Sequence, residues 1–314
     1  MFKKKPILLD CDPGHDDVLA ILLAANHPEL DLLGITTVGG NATVDKTTKN
    51  ALEFCTLADI VNIPIAAGMS RGLVRSDRVN TESEIHGKSG LDGYRLPKPK
   101  INKIKKHGVN FIIDTIQNSL CPVTIIPTGP LSNIAMALLL EPKIKENIKE
   151  IILMGGAINL GNRTPAAEFN IWADPEGAKV IFQSGIPIVM VGLEATHKAE
   201  LREQDLAKFG KYQHPVGKAI KKLMEFALVR YQKTYRTKGL PIHDVCAVAV
   251  AINKQIVSLE KMYVDIEIGG EFCSGRTVCD VNNRYGKEKN AEVVMDLDGE
   301  KVIEMIYNVL ENYG

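Results

Sequence analysis

Short apolar runs alternate along the chain with longer stretches in which apolar positions recur every three to four residues. The runs Ile7–Leu9, Leu32–Thr37, Ile63–Ala66, Val123–Pro127, Glu150–Met154 and Ile186–Val191 predict strands. Between them the spacing predicts helices over Asp16–Ala25, Val44–Leu57, Val109–Ser119, Leu131–Leu140 and Pro175–Ser184. This alternation predicts an α/β fold: a mostly parallel central sheet with helices on both faces. Ligands of such sheets sit in the crevice outside the carboxyl ends of the strands. The chemically unusual residues fall at those ends: Asp10 and Asp12, Gly39-Gly40-Asn41, Thr128-Gly129, Gly155-Gly156 and Glu194.

Two stretches break the pattern. Residues 69–100 are rich in Gly, Ser, Arg and Pro without periodicity, and so long a connection is functional or disordered. Residues 199–252 read as an extra, mostly helical region that includes Val216–Tyr235 and Val245–Ile252. From Tyr263 onward two or three short strands and a last helix, Glu300–Asn312, are expected. No repeat or linker divides the chain, so residues 1–314 are read as a single domain.

Composition narrows the function classes. The chain carries 38 basic and 38 acidic residues and is 45% hydrophobic. It can bury a sizeable core, and its balanced charge gives no reason to expect a nucleic-acid or membrane partner. The basic start, Met1-Phe2-Lys3-Lys4-Lys5, is followed by too short an apolar run for a signal peptide, and no later run is long enough to span a bilayer. Six cysteines without a CxxC pair read as reduced thiols of a cytoplasmic protein.

The most informative segment is Asp10-Cys11-Asp12-Pro13-Gly14-His15-Asp16-Asp17, in which four carboxylates occupy eight residues where a strand gives way to a helix. Like charges so close raise one another's pKa values, and a hard cation, Ca²⁺ or Mg²⁺, relieves that repulsion. Helix capping accounts for one or two of these acids but not for four. An EF-hand loop is excluded, because Gly14, His15 and Ile21 stand where it needs an acid, a glycine and a glutamate. A Mg²⁺-dependent phosphatase of the haloacid-dehalogenase type also begins with Asp-x-Asp after a strand and stays open as an alternative.

Three further segments carry candidate chemistry. In Pro127-Thr128-Gly129-Pro130-Leu131-Ser132-Asn133, Pro130 suits the first turn of a helix, and the Thr128 carbonyl at the strand end is free to meet a metal. In Asn162 to Ala167-Glu168-Phe169-Asn170, an extended backbone would turn Glu168 and Asn170 to one side, an acceptor and a donor for sugar hydroxyls. In Pro241-Ile242-His243-Asp244, ahead of an apolar helix, the Asp alone reads as a cap, and the His-Asp pair alternatively as a metal ligand with a proton donor. Tyr231 and Tyr235 lie one helical turn apart, a spacing more common in cores than in ligand platforms. His86, in the long irregular stretch, reads by itself as a surface residue.

Taken together and in order, the first motif, Thr37-Val38-x-Gly40-Asn41, Thr128-Gly129-Pro130-Leu131-x-Asn133, Met154-Gly155-Gly156, Glu168-Phe169-Asn170 and His243-Asp244 resemble the inosine–uridine-preferring nucleoside hydrolase family over nearly the whole chain. The resemblance implies the Rossmann-like nucleoside hydrolase fold and Ca²⁺-dependent hydrolysis of the N-glycosidic bond of ribonucleosides, in nucleoside salvage. It implies Asp12, Asp17, Asp244 and the Thr128 carbonyl as ligands of Ca²⁺, with Asp10 supporting. Asp16, Asn41, Asn162, Glu168 and Asn170 resemble the ribose-binding set, and Met154 lines the pocket. Asp12 is implied as the general base toward the attacking water, and His243, His86 and Tyr235 are candidates to assist the departing base. Tyr235 with His86, beside Tyr231, resembles the pyrimidine-preferring members, whereas Ala227 stands where those members carry a polar residue. Leu193-Glu194-Ala195-Thr196-His197 also departs from the usual Asp-Val-Thr-His form. A homodimer or homotetramer is the implied assembly. The alternatives are a purine-preferring or non-specific member, the phosphatase, and a non-catalytic nucleoside-binding protein.

Overall fold

In the computed structural model, residues 4–80 and 83–313 are described. Met1-Phe2-Lys3 of the basic start lie outside the described residues, as do Thr81 and Glu82 of the long connection. The strands are β1 (Lys5–Cys11), β2 (Leu30–Thr37), β3 (Ile65–Ala67), β4 (Val123–Pro127), β5 (Ile148–Met154), β6 (Ile188–Val191), β7 (Glu200–Leu201), β8 (Leu240–Pro241), β9 (Val257–Met262), β10 (Val264–Ile266), β11 (Thr277–Cys279) and β12 (Ala291–Leu297). The α-helices are α1 (His15–Asn26), α2 (Val44–Leu57), α3 (Gly108–Asn118), α4 (Ser132–Leu140), α5 (Phe169–Ala173), α6 (Pro175–Phe182), α7 (Leu193–Thr196), α8 (Glu203–Phe209), α9 (Pro215–Tyr235), α10 (His243–Ile252) and α11 (Gly299–Glu311).

Eight strands form one sheet in the order β3-β2-β1-β4-β5-β6-β12-β9. Every pairing is parallel except β12 with β9. The predicted α/β architecture is therefore present. Two short ribbons, β7 with β8 and β10 with β11, lie outside the sheet. Because both faces are covered, successive residues of β4, of β6 and of β1 from Ile7 onward are all buried. Ile7, Leu9 and Cys11 point into the core under α1 and α10, while Leu8 points into the core under α3, α4 and α6. That is why the central strands read as unbroken apolar runs.

The chain winds from β1 outward to β2 and β3, then returns to place β4 on the other side of β1. The switch point between β1 and β4 opens a crevice at their carboxyl ends. Asp10 pairs in register with Thr36 on one side and Pro127 on the other. Helices α1 and α10 pack against each other and are apolar almost all round, as buried helices are. Both start at the crevice, so their first turns deliver His15, Asp16, Asp17, His243 and Asp244 to it.

Several expected boundaries move. Helix α4 begins at Ser132, so Pro130 precedes the helix instead of occupying its first turn. Strand β3 begins two residues later than expected. The helical region is interrupted by β7 and β8, and β9 precedes Tyr263 as an extra edge strand. The long connection between β3 and α3 has no regular element, yet it is tied down. Asn50 Nδ2 donates to the Pro13 and Ser89 carbonyls, and the Arg75 guanidinium pairs with Glu176 at 2.8 Å.

Candidate functional site

The floor of the crevice is the end of β1. Asp10 is buried, and its Oδ1 accepts from Thr36 Oγ1 at 2.5 Å and from Asn133 Nδ2 at 2.7 Å. Asp12 Oδ2 accepts the Asn41 main-chain N–H at 2.6 Å. Asp17 Oδ2 accepts the Gly14 N–H at 2.9 Å, and its Oδ1 accepts from the Thr128 hydroxyl at 3.0 Å. Asp244 forms no cap. Its own N–H donates to Asp16 Oδ2 at 3.4 Å, which joins the first turns of α1 and α10. The capping reading of Asp244 therefore fails.

Burial pushes all five acids up. Asp10 rises to about 7, against the hydrogen bonds from Thr36 and Asn133. Asp16 also rises to about 7, through burial and then the charge of Asp17. Asp17 is raised by burial, and Asp12 and Asp244 are held well above the carboxylate range by burial and by their neighbours' charges. The two helix N-termini, with their positive dipole ends, temper this repulsion without removing it.

The donor set fits a hard cation. One carboxylate oxygen from each of Asp16, Asp17 and Asp244 lies within 4.8 Å of the others. Asp12 Oδ1 and Asp10 Oδ2 are buried and have no partner, and a buried acceptor without a donor calls for a counter-ion. The ground beside Asp12 is also cleared of side chains: a Cβ on Gly40 would lie 2.1 Å from Asp12 Oδ2, and one on Gly129 would lie 2.7 Å from Oδ1. The sequence expectation centred on Asp12, Asp17 and Asp244, whereas the tightest carboxylate grouping is Asp16, Asp17 and Asp244. The Thr128 carbonyl, expected as a ligand, accepts from Asn170 Nδ2 at 2.8 Å.

Above the acids lies a cavity of about 580 Å³. One wall is polar: Asp16, Asn41, Thr128, Met154, Asn162, Glu168 and Asn170 all line it. The expected extended backbone at Ala167–Asn170 is corrected. Glu168 is the N-cap of α5, where its carboxylate accepts the N–H groups of Asn170 and Ile171 at 2.9 and 3.2 Å. A glutamate before a short helix satisfies the free N–H groups of the first turn, and this local gain outweighs the extended alternative. Glu168 also accepts the N–H of Gly156 at 3.0 Å, a residue at φ +78° where a side chain would strain the backbone. Burial raises Glu168 to about 7 despite these donors. Asn170 Nδ2 bridges to the Met154 carbonyl at 3.1 Å, and Asn162 Oδ1 accepts the Phe169 N–H at 2.9 Å.

Another part of the lining is aromatic. Tyr231 is buried, Tyr235 is 42% exposed, and their rings lie 4.5 Å apart. Both line the cavity beside Ala227, so they form a ligand-facing platform and not core alone. His86 is half-buried and lines the same wall, which corrects the surface reading. His243 also lines the cavity, with Nδ1 2.7 Å from Thr196 Oγ1. Burial takes His243 down to about 3, with the charge of His197 acting in the same sense. His86 is likewise held well below the usual imidazole range, by burial and then by His15 and His243. Both rings are therefore neutral at pH 7.

Residues 7–304 match the family model described as inosine-uridine preferring nucleoside hydrolase. The chain belongs to this family. It is 43% identical over 296 residues to the pyrimidine-specific ribonucleoside hydrolase RihB of Escherichia coli K12, covering 94% of each chain. The solved purine-preferring ribonucleoside hydrolase from Gardnerella vaginalis superposes with a TM-score of 0.92 at 31% identity, over 98% of this chain and 99% of that one. A plant nucleoside hydrolase, PpNRh1, superposes with a TM-score of 0.91 at 28% identity over the same shares.

For a nucleoside hydrolase, two residues of this site went unnoticed in the sequence. His15 is buried against His86, yet inside the acidic motif it reads as a mere spacer. Thr196 holds the ring of His243 from a different helix, and only the fold brings the two together. Glu194, at the variant segment before His197, accepts the N–H groups of Ile158 and Asn159 at 3.0 and 2.8 Å and fixes the loop after β5. Among the described residues, no helix is long and apolar enough to cross a membrane.

Proposed function

We propose that this nucleoside hydrolase cleaves the N-glycosidic bond of pyrimidine ribonucleosides, uridine and cytidine, with Ca²⁺ as its ion. The proposal includes a role in salvage and a cytoplasmic homodimer or homotetramer. The observation that carries it is the convergence of Asp16, Asp17 and Asp244 beneath one cavity with a polar wall and an aromatic wall. Pyrimidine preference is supported by the RihB relative and by Tyr231, Tyr235 and His86 on the base side.

Asp12, Asp17, Asp244 and the Thr128 carbonyl would hold the ion, with Asp16 beside them. When bound, Ca²⁺ supplies a positive charge that makes water easier to deprotonate and anchors the ribose diol. Asp12 is the base. Its Oδ1 is buried and unpartnered, so it is free to accept a proton from the attacking water. As water attacks C1′, the C1′–N bond breaks and its electron pair leaves with the base, through an oxocarbenium-like sugar. Glu168, fixed by three N–H groups, places a carboxylate by that developing positive charge. Asp16, Asn41, Asn162 and Asn170 orient the sugar, and Met154 packs against it. On the base side, His243 Nδ1 lies 2.7 Å from the Thr196 hydroxyl, and the tautomer that accepts from that hydroxyl carries an Nε2–H able to donate to the departing base, flanked by His86 and Tyr235.

The test is ribose release from uridine, cytidine, inosine and adenosine with Ca²⁺ present. Uridine and cytidine are expected to give the highest kcat/KM. A higher value for inosine overturns the base preference. Binding without release from any of the four identifies a non-catalytic nucleoside-binding protein and overturns the whole reading.

A further inference from the structure

We infer that His15 is a positioning residue for His86: it grips the Nδ1 edge of that ring, turns Nε2 toward the nucleobase and fixes the role of Nε2 there. The inference rests on the proposal above that the base lies against His86.

Three contacts define the grip. His15 Nδ1 lies 2.9 Å from His86 Nδ1, and the main-chain N–H of His15 is directed at the same atom at 3.2 Å. The two rings are 18° from parallel. Swinging the His86 ring over would replace Nδ1 by a carbon and lose both contacts, so Nε2 has one orientation. His15 is itself locked. Its Nε2 lies 2.8 Å from the Asp92 carbonyl, and its ring is 14° from parallel with Phe226 at 5.6 Å. Phe226 belongs to α9, the helix that carries Tyr231 and Tyr235. The stack thereby joins the acidic motif, the long connection and the aromatic wall.

Proton geometry gives this arrangement a chemical consequence. A carbonyl only accepts, so His15 Nε2 carries a proton. The main-chain N–H of His15 donates to His86 Nδ1, so that nitrogen carries no proton of its own. The proton of the neutral His86 ring then sits on Nε2, where it can donate to the nucleobase as it departs. The effect of the grip therefore falls on the nucleobase and not on the ribose.

The experiment compares uridine with p-nitrophenyl β-D-riboside. The nitrophenolate leaves readily as an anion, but its ribose and ion requirements are the same. His15→Phe keeps a ring in the stack and removes both nitrogens. It is expected to lower kcat/KM for uridine by about 10–100-fold, the scale of losing a group that orients another. With the nitrophenyl riboside the change is expected to stay within about threefold, and His15→Phe added to His86→Ala is expected to cost nothing further. His15→Asn, whose amide reaches the Nδ1 position, is expected to recover part of the uridine rate. Equal losses on both substrates, or additivity with His86→Ala, overturn the inference. A wild-type uridine rate in His86→Ala overturns instead the placement of the base. A wild-type rate in His15→Phe where His86→Ala is impaired overturns the role of His15 alone.

Discussion

Gly40→Ala isolates the clearance around Asp12, because it adds one methyl group and no polar atom. That Cβ would lie 2.1 Å from Asp12 Oδ2 and 2.8 Å from Pro130 Cδ. Ordinary contacts need about 3.5 Å, so Asp12 must retreat by more than about 1 Å. It has little room to do so. Gly129 faces its other oxygen with space for no Cβ, and Oδ2 would lose the 2.6 Å hydrogen bond from Asn41. Misplacing a reacting group by about 1 Å costs on the order of 10²-fold in rate, and overpacking costs about 1–3 kcal/mol of stability. Gly40→Ala is therefore expected to stay folded, to lower kcat on uridine by at least about 10²-fold, and to weaken Ca²⁺ binding by about 10–100-fold. Gly129→Ala, with its milder 2.7 Å contact, should lie between Gly40→Ala and wild type. Gly269→Ala, whose Cβ meets nothing closer than 3.6 Å, is the control. Steady-state kinetics and calorimetric Ca²⁺ titration read all three. Wild-type kcat and Ca²⁺ affinity in a folded Gly40→Ala would refute the claim that Asp12 is clamped between the two glycines.

Two other outcomes are expected. Asp12→Asn preserves shape but cannot take a proton, so kcat should drop by about 10²–10⁴-fold; turnover near wild type in a pre-steady-state assay would remove Asp12 from the role of base. The second concerns pH. Asp10 and Asp16 are raised from 3.8 to about 7, so their contribution to the stability of the ion-free protein is present below about pH 4 and lost as pH rises through 7. Chelated protein should therefore melt at higher temperature near pH 5.5 than near pH 8. Because the ion competes with protons for these oxygens, added Ca²⁺ should recover more stability at pH 8, about 2.7 kcal/mol at a hundred times Kd. A Ca²⁺-induced melting shift that shrinks between pH 5.5 and 8 contradicts this linkage.

Strands buried on both faces leave the plainest trace in the sequence. Val123–Pro127 has the same limits in the sequence pattern and in the structure, as does the amphipathic helix Val44–Leu57. Strand β9 was hidden because it is an edge strand with exposed residues and charges at Glu260 and Lys261, so its burial pattern alternates. The five-residue helix α5 was hidden because its start is decided by Glu168 capping it, not by periodicity. Of the site, the acidic cluster was legible, since four acids in eight residues conflict with one another unless something reconciles them. The roles of His15 and Thr196 were not, because each acts on a histidine far along the chain, across the cavity wall.

That conflict also explains why the site stands where it does. Asp10 on β1, Asp12 just past its end and two carboxylates on α1 would repel one another anywhere, and α10 brings Asp244 to the same point. At the switch point two buried helices aim their N-termini at the ends of two central strands. There the dipoles, the main-chain N–H groups of Gly14 and Asn41 and the Thr128 hydroxyl all face the acids. These donors still leave Asp12 Oδ1 and Asp10 Oδ2 unpaired. The remaining imbalance is affinity held in reserve. A cation offsets it on binding, and so the surroundings that make the empty site costly are the same ones that make it selective for an ion that prefers oxygen.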